Sequence, residues 1–194
     1  MASVDPLTKS QAARRQRVLL AALELGADGG YEAVQMRDVA ASAQVALGTI
    51  YRYFPSKDAL LAAAMLEWME DLERRVTQRT PRGDTTSDRV YDVLRRAVGT
   101  MERQPKLAEA VITALTSDDR EAGAASVTTT DVMQRVLLQA FPDATDPELE
   151  AAIAKVLGHV WFSCLISWSN GVGDLHWVAG ELETASHLLC DHLG

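Results

Sequence analysis

Apolar residues recur at spacings of three and four along most of the chain, and this helical period narrows the choice of fold more than any other feature. The period is clear in residues 18–25 and again in residues 65–72. No segment of useful length alternates apolar and polar residues as a half-buried strand does. The sequence therefore predicts an all-α protein. After a first helix that ends at Gly29-Gly30, we expect helices near residues 36–43, 47–53, 56–78, 88–103, 105–117, 122–140, 147–170 and 174–191.

Local signals support several of these boundaries. Ser56 follows Pro55 and suits the N-cap of the helix at 56–78. Asp146-Pro147 combines an N-cap with a proline at the first helical position. Residues 80–87 have the composition of a loop, and Gly171-Val172-Gly173 separates the last two helices. Residues 1–9 contain Pro6 and little periodicity, which predicts a loose tail.

The net charge of −8 on 194 residues argues at first against a nucleic-acid partner. The charge is unevenly distributed, however. Residues 1–60 hold seven Lys/Arg and six Asp/Glu, whereas residues 61–194 hold 12 and 21. This asymmetry indicates two parts with different partners. The acidic part should face away from the phosphates of any nucleic acid that the first part binds.

Composition points to an intracellular protein with no membrane association. No stretch approaches the ~20 apolar residues that a membrane span requires. The basic residues before the apolar run at 18–23 resemble a signal peptide, but Glu24 follows at once and no cleavage site is apparent. The two cysteines, Cys164 and Cys190, are too few for a disulfide scaffold and lack metal-ligand spacing. We therefore expect a cytoplasmic protein without cofactor or metal.

Residues 36–54 have the pattern of a helix-turn-helix. A first short helix would bury Val39, Ala40 and Ala43, and Val45 would fill the turn between the helices. In the second helix, Ile50 and Phe54 lie four residues apart and form the inward face.

The opposite face of the second helix suits the major groove of DNA. Leu47 and Gly48 form its leading end, and Gly48 allows close approach of the backbone. Hydroxyls and a guanidinium follow, which bond base edges and phosphates. Lys57 begins the next helix and is placed to hold a phosphate. The outward residues are Thr49, Arg52 and Tyr53, with Tyr51 on the flank.

Residues 30–40 together with 47–61 resemble the DNA-binding domain of the tetracycline-repressor (TetR) family, and the run Gly48–Lys57 is highly specific to it. The resemblance implies DNA contacts at Arg37, Ala46, Leu47, Thr49, Tyr51, Arg52, Tyr53 and Lys57. Two positions depart from the family pattern. Met36 stands where Thr is frequent, and Gln44 stands in the turn where Gly is frequent.

Within that family, residues 29–37, 101–110 and 160–168 are similar to actinobacterial repressors of sterol catabolism. This resemblance implies control of lipid or sterol degradation genes. It also implies release from DNA by the CoA thioester of a sterol-derived acid.

Residues after about 60 are expected to form an effector pocket between helices, with ordinary core packing as the alternative. Methionine and aromatic side chains adapt well to apolar ligands. The arginines at 74, 75, 79 and 82 form either a site that attracts an anion such as CoA or a solvated helix end. The predicted pocket residues are Met65, Trp68, Met69, Leu72, Val111, Ile112, Leu115, Met133 and Leu137.

The last two helices carry more apolar surface than a terminal pair needs, which predicts a homodimer built on a four-helix bundle. Packing within one subunit is the alternative. The predicted interface residues are Trp161, Phe162, Leu165, Trp168, Trp177, Leu182 and Leu189.

These observations together predict a homodimeric repressor that reads palindromic DNA. Residues 1–55 would form a three-helix DNA-binding domain, and residues 56–194 would bind the effector and dimerise. A multidrug-sensing repressor, in which acidic residues would line the pocket, remains an alternative, as does an activator. A small all-α enzyme is a further alternative, but its catalytic motifs are absent from the sequence.

Overall fold

The computed structural model describes residues 8–141 and 146–191, and this part of the chain is helical without strands. The all-α prediction is confirmed. The helices are α1 (Lys9–Ala33), α2 (Met36–Ser42), α3 (Leu47–Tyr53), α4 (Lys57–Gln78), α5 (Thr86–Arg103), α6 (Pro105–Leu115), α7 (Arg120–Leu138), α8 (Pro147–Ser169) and α9 (Leu175–Cys190).

The predicted helix signals act as caps. The Ser56 hydroxyl accepts the Ala59 backbone N–H at 2.9 Å, and Asp146 accepts that of Leu149 at 3.0 Å. The first helix begins earlier than predicted, because Thr8 accepts the N–H of Gln11 and so caps α1. The rest of the predicted tail, residues 1–7, lies outside the described residues.

Two glycines shape α1. Gly30 takes a φ of 71° and kinks the helix where the sequence predicts its end, although helical turns resume up to Ala33. Gly26 faces α6, where an added Cβ would lie 2.9 Å from Leu107. The bare backbone at Gly26 therefore allows α1 to pack closely on α6.

The helix-turn-helix has the predicted core. Val39, Ala40, Ala43, Ile50 and Phe54 are all buried. Gln44 occupies the turn with a φ of 55°, the left-handed conformation that glycine adopts most easily. The turn therefore keeps the geometry that glycine would supply, at the cost of strain in a residue with a side chain.

Helix α4 connects the two parts of the molecule. It packs against α1 and also against α6 and α7. Helix α5 packs on α9, and α8 lies between α7 and α9. The predicted boundary between residues 55 and 56 falls just before α4, and the division into domains there stays a prediction.

Several predicted site residues are core residues of a single subunit. Trp161, Leu165 and Leu182 are at most 1% exposed, so they cannot form the surface of a dimer interface. Their apolar side chains instead hold α8 and α9 inside the bundle. The packing alternative also applies to part of the predicted pocket, because its members from α6 and α7 are buried and line none of the cavities described below: Val111, Ile112, Leu115, Met133 and Leu137.

Helix α8 is more apolar than expected from the sequence. An 18-residue window in Pro147–Ser169 has a mean hydropathy of 1.5, so this helix is long and apolar enough to cross a membrane. The expectation that no stretch approaches this limit is wrong. About 44% of the window is buried inside the protein, which is typical of a core helix that also has an uncovered apolar face.

The strained turn leads to a test of stability. Gln44→Val should lower the free energy of unfolding by about 1–2 kcal/mol, because a β-branched side chain tolerates positive φ poorly. Gln44→Gly should be neutral or stabilising. Gln35→Val is the control, since Gln35 is also exposed but has extended backbone with a φ of −105°. Urea unfolding measures all three, and equal effects of the two valine substitutions would contradict the strain at residue 44.

Candidate nucleic-acid interface and effector cavity

Helix α3 exposes a polar and small-residue face on one side of the molecule. Ala46 is its N-cap, and the side chains of Tyr51 and Arg52 are exposed. Gly48 has open space where a Cβ would lie. Leu47 and Thr49 are half-buried, and Arg37 is exposed on α2. The helix-turn-helix thus presents most of the predicted DNA contacts to solvent.

Tyr53 is placed differently from the rest of this set. Its hydroxyl is buried and has no hydrogen-bond partner among the described residues. The ring lies 6.4 Å from that of Phe54 and 5.3 Å from the Arg52 guanidinium. Tyr53 lines a cleft toward α7 with Ala125 and Thr128. This conformation therefore does not offer the Tyr53 hydroxyl to DNA.

Lys57 is held at the start of α4 by the end of α1. Its Nζ donates to the Tyr31 carbonyl at 3.3 Å and lies 3.5 Å from the centre of the Tyr31 ring. The Tyr31 hydroxyl donates to Asp58 Oδ1 at 2.6 Å. Burial and this hydrogen bond raise the pKa of Tyr31, so the hydroxyl stays protonated. The two contacts fix the Lys57 ammonium beside the helix-turn-helix.

Basic residues of α1 brace the same region. Arg17 Nε donates to the carbonyl of Ala43 at 3.3 Å, and Ala43 is the C-cap of α2. Arg15 bonds Glu67 of α4 at 3.3 Å and stacks 5.1 Å from the centre of the Phe54 ring. Both arginines therefore stabilise the orientation of the reading helix relative to α1 and α4.

A polar contact joins the start of α4 to the start of α7. Asp119, the N-cap of α7, accepts the N–H groups of Glu121 and Ala122 at 2.9 Å. The Ser56 hydroxyl at the start of α4 also hydrogen-bonds to the Asp119 carboxylate. The Ala122 N–H has the largest effect and the Ser56 hydroxyl the next, and together they hold the pKa of Asp119 below its usual value. Two helix caps thus lie side by side, directly behind the helix-turn-helix.

The predicted stripe on α4 lines a narrow apolar slot of about 20 Å³. The other walls come from α5 and α8. The α5 residues were not predicted as lining residues, although their spacing of three and four is visible in residues 97–101. Trp161 was predicted to lie in the dimer interface instead. The slot is lined by Met65, Trp68, Met69, Leu72, Ala97, Thr100, Met101 and Trp161.

A second cavity of about 570 Å³ adjoins the slot and shares Leu72 and Thr100 with it. Four arginines line this cavity. Arg75 and Arg79 belong to the predicted cluster, whereas Arg74 and Arg82 do not line it. The other two, Arg96 and Arg103, were not predicted; they lie seven residues apart on one face of α5.

The arginines of this cavity are partly engaged. Arg96 donates to the Arg79 carbonyl at 2.7 Å and pairs with Asp92, and Arg75 pairs with Asp71. Arg103 donates to the Thr100 hydroxyl at 3.0 Å. An apolar slot beside a cationic cavity is suited to an amphipathic anion.

A groove of about 730 Å³ between α1, α4 and α6 has the opposite character. Leu20 and Trp68 contribute apolar surface to it. Glu67 and Asp71 already contact Arg15 and the Arg74–Arg75 pair. The carboxylates that line the groove are Glu24, Asp28, Glu67 and Asp71.

Neither cysteine is placed for chemistry. Burial raises the pKa of the Cys164 thiol, and it raises that of Cys190 to about 11. Both thiols therefore stay protonated at neutral pH. In residues 8–141 and 146–191, no three His, Cys, Asp or Glu side chains come together as a metal site would require.

Comparison with known proteins identifies the architecture. The family model described as "Bacterial regulatory proteins, tetR family" matches residues 18–64, and "Tetracyclin repressor-like, C-terminal domain" matches residues 83–189. The HTH-type transcriptional repressor KstR of Rhodococcus jostii is 38% identical over 185 residues, which cover 95% of this chain and 86% of that protein.

Two solved structures share the fold. A TetR transcriptional regulator from Rhodococcus sp. RHA1 is 29% identical, with a TM-score of 0.82 over 96% of this chain and 100% of that one. Thermus thermophilus FadR, solved with lauroyl-CoA, is 22% identical, with a TM-score of 0.71 over 90% of this chain and 92% of that one. The relatives are transcriptional repressors rather than enzymes, and the chain belongs with them to the TetR family.

Proposed function

We propose that this repressor binds palindromic operator DNA as a homodimer and leaves it when a lipid- or sterol-derived acyl-CoA thioester binds. The apolar slot that adjoins the four-arginine cavity carries the proposal. CoA has several phosphates, which suit the guanidinium groups, and its acyl group suits the slot. The FadR structure with lauroyl-CoA has the same fold, and the resemblance to sterol-catabolism repressors favours a sterol-derived acid. The cytoplasm, where the DNA lies, is the inferred site of action.

The slot is closed in this conformation, because about 20 Å³ is far too small for an acyl chain or a sterol. Met65, Met69 and Met101 fill it, and flexible methionine side chains are easily displaced. Entry of a ligand must therefore spread α4 from α5 and α8. Since α4 begins at Lys57 beside the helix-turn-helix, its displacement would move the helix-turn-helix. In a dimer, that movement would change the distance between the two recognition helices and weaken operator binding.

The proposed dimer uses the uncovered faces of α8 and α9. Val156 is 47% exposed on α8, and Leu188 is 77% exposed on α9. Gly180 and Thr184 leave the α9 surface shallow, so a second helix can approach closely. Phe162 and Trp177, which are half-buried, border these faces. The other two half-buried members of the predicted interface, Trp168 and Leu189, lie on the inward sides of the same helices, seven residues after the buried Trp161 and Leu182. A two-fold four-helix bundle covers the exposed apolar surface.

The acidic groove is the observation that favours the second candidate, a sensor of cationic drugs. Its four carboxylates would attract an amphipathic cation. Two of these carboxylates already have arginine partners, which reduces that attraction. An acyl-CoA and a lipophilic cation such as ethidium, compared by thermal shift, separate the two candidates. We expect stabilisation by the acyl-CoA.

DNA reading is tested at Arg52, whose guanidinium lies 5.3 Å from the centre of the neighbouring Tyr53 ring. Arg52→Ala should lower operator affinity without altering the melting temperature, because the side chain is exposed. If Arg52 holds a phosphate, the slope of the logarithm of operator affinity against the logarithm of salt concentration should decrease in magnitude by about two per dimer. If it bonds guanine, discrimination between operator and random DNA should fall instead.

Arg82→Ala is the control for the Arg52 test, since it removes the same side chain from an exposed site in the loop between α4 and α5, outside the helix-turn-helix and outside α8 and α9. Fluorescence anisotropy at several salt concentrations measures both variants. Unchanged affinity of Arg52→Ala would contradict the proposed docking at this residue.

The cationic cavity is tested at Arg103. Arg103→Ala should weaken binding of an acyl-CoA about tenfold, because it removes one charged partner of a phosphate. Binding of the same acid without CoA should be unaffected. Arg95→Ala is the control, since Arg95 is an exposed arginine of α5 that does not line the cavity. Calorimetric titration measures the affinities, and equal losses for the two ligands would exclude a phosphate role.

The interface is tested with a matched pair of valines. Val156→Arg should convert the dimer to a monomer, because a charge would be buried in the apolar interface. Val127→Arg on α7 is the control, since Val127 is 65% exposed and lies outside α8 and α9. Light scattering after gel filtration measures the mass. A dimer that survives Val156→Arg would refute this interface.

A further inference from the structure

The indole N–H of Trp161 is a buried donor without an acceptor. Trp161 is 1% exposed, and its Nε1 has no hydrogen-bond partner among the described residues. Buried N–H groups are nearly always paired in folded proteins, so an unpaired one requires a physical explanation. Trp161 lies in the wall of the apolar slot, opposite the methionines of α4.

No side chain that lines the slot accepts a hydrogen bond from this N–H. Most lining side chains are apolar, and Trp68 has no acceptor atom. The Thr100 hydroxyl donates to the Arg96 carbonyl at 3.0 Å and accepts from Arg103 at 3.0 Å, and it makes no bond to Trp161. The unpaired N–H is therefore available to donate to a molecule that enters the slot.

We propose that Trp161 recognises the effector by donating this hydrogen bond to an oxygen atom of the ligand inside the slot. The inference rests on the proposed acyl-CoA function and adds a specificity rule to it. The arginines hold the phosphates, and Trp161 selects ligands that carry an acceptor oxygen within their apolar part. Two oxygens meet this requirement: the thioester carbonyl, and a ketone or hydroxyl on the acyl body.

Two ligand pairs separate these oxygens. Lauroyl-CoA and the thioether S-dodecyl-CoA differ only in the carbonyl oxygen next to sulfur. The CoA thioesters of a steroid acid with and without a ring ketone differ only in the ring oxygen. Calorimetric titration of each ligand into the full-length protein gives the affinities.

Trp161→Phe keeps an aromatic ring in the slot and removes the donor. It should weaken binding of the oxygen-bearing member of one pair about tenfold and leave the other member unchanged. The pair that responds identifies the oxygen. Trp168→Phe is the control, because Trp168 is a half-buried tryptophan of α8 that does not line the slot. It should not distinguish the members of either pair.

Equal losses for both members of each pair, or no loss at all, would overturn the role of Trp161. The slot has room for about one water molecule, and a structural water bound to Nε1 would produce those outcomes. If Trp161→Phe fails to fold, benzothienylalanine at position 161 replaces the N–H with sulfur at nearly constant size. Failure of every CoA ligand to bind the unmodified protein would refute the acyl-CoA function itself, together with this inference.

Discussion

The packing of α4 is the constraint on which the rest of the structure depends. One end of this helix lies beside the helix-turn-helix, where Lys57 contacts Tyr31 of α1 and Ser56 contacts Asp119 at the start of α7. Its middle forms a wall of the apolar slot, and its far end supplies Arg75 and Arg79 to the cationic cavity. A rigid helix transmits a displacement along its length, so a single element links the two proposed binding events.

The distribution of charge agrees with a division into a DNA-binding part and a remainder that faces away from the DNA. The excess of acidic residues belongs to residues 61–194, whereas residues 1–60 are nearly neutral. The exposed cations Arg37 and Arg52 lie on the helix-turn-helix, and the acidic remainder is repelled by phosphates. A net charge of −8 is therefore compatible with DNA binding, and it favours an orientation in which the helix-turn-helix faces the duplex.

Much of the fold and part of the site could be predicted because they depend on local signals. The caps at Ser56 and Asp146 and the buried set of the helix-turn-helix follow from residue type and helical spacing. Assignment of apolar residues to the pocket or the interface failed more often. An apolar stripe shows that a helix face is covered, but it does not show what covers it.

The sequence by itself determined the helical class, the helix boundaries to within a few residues and the DNA-reading motif, because each arises from contacts between near neighbours in the chain. Only the tertiary structure decided that Trp161 faces a slot with an unpaired donor and that Arg96 and Arg103 join Arg75 and Arg79. The tertiary structure also places the Tyr53 hydroxyl in the interior of the protein. These outcomes depend on how distant helices cross, and crossing geometry is set by packing over the whole bundle rather than by any local pattern.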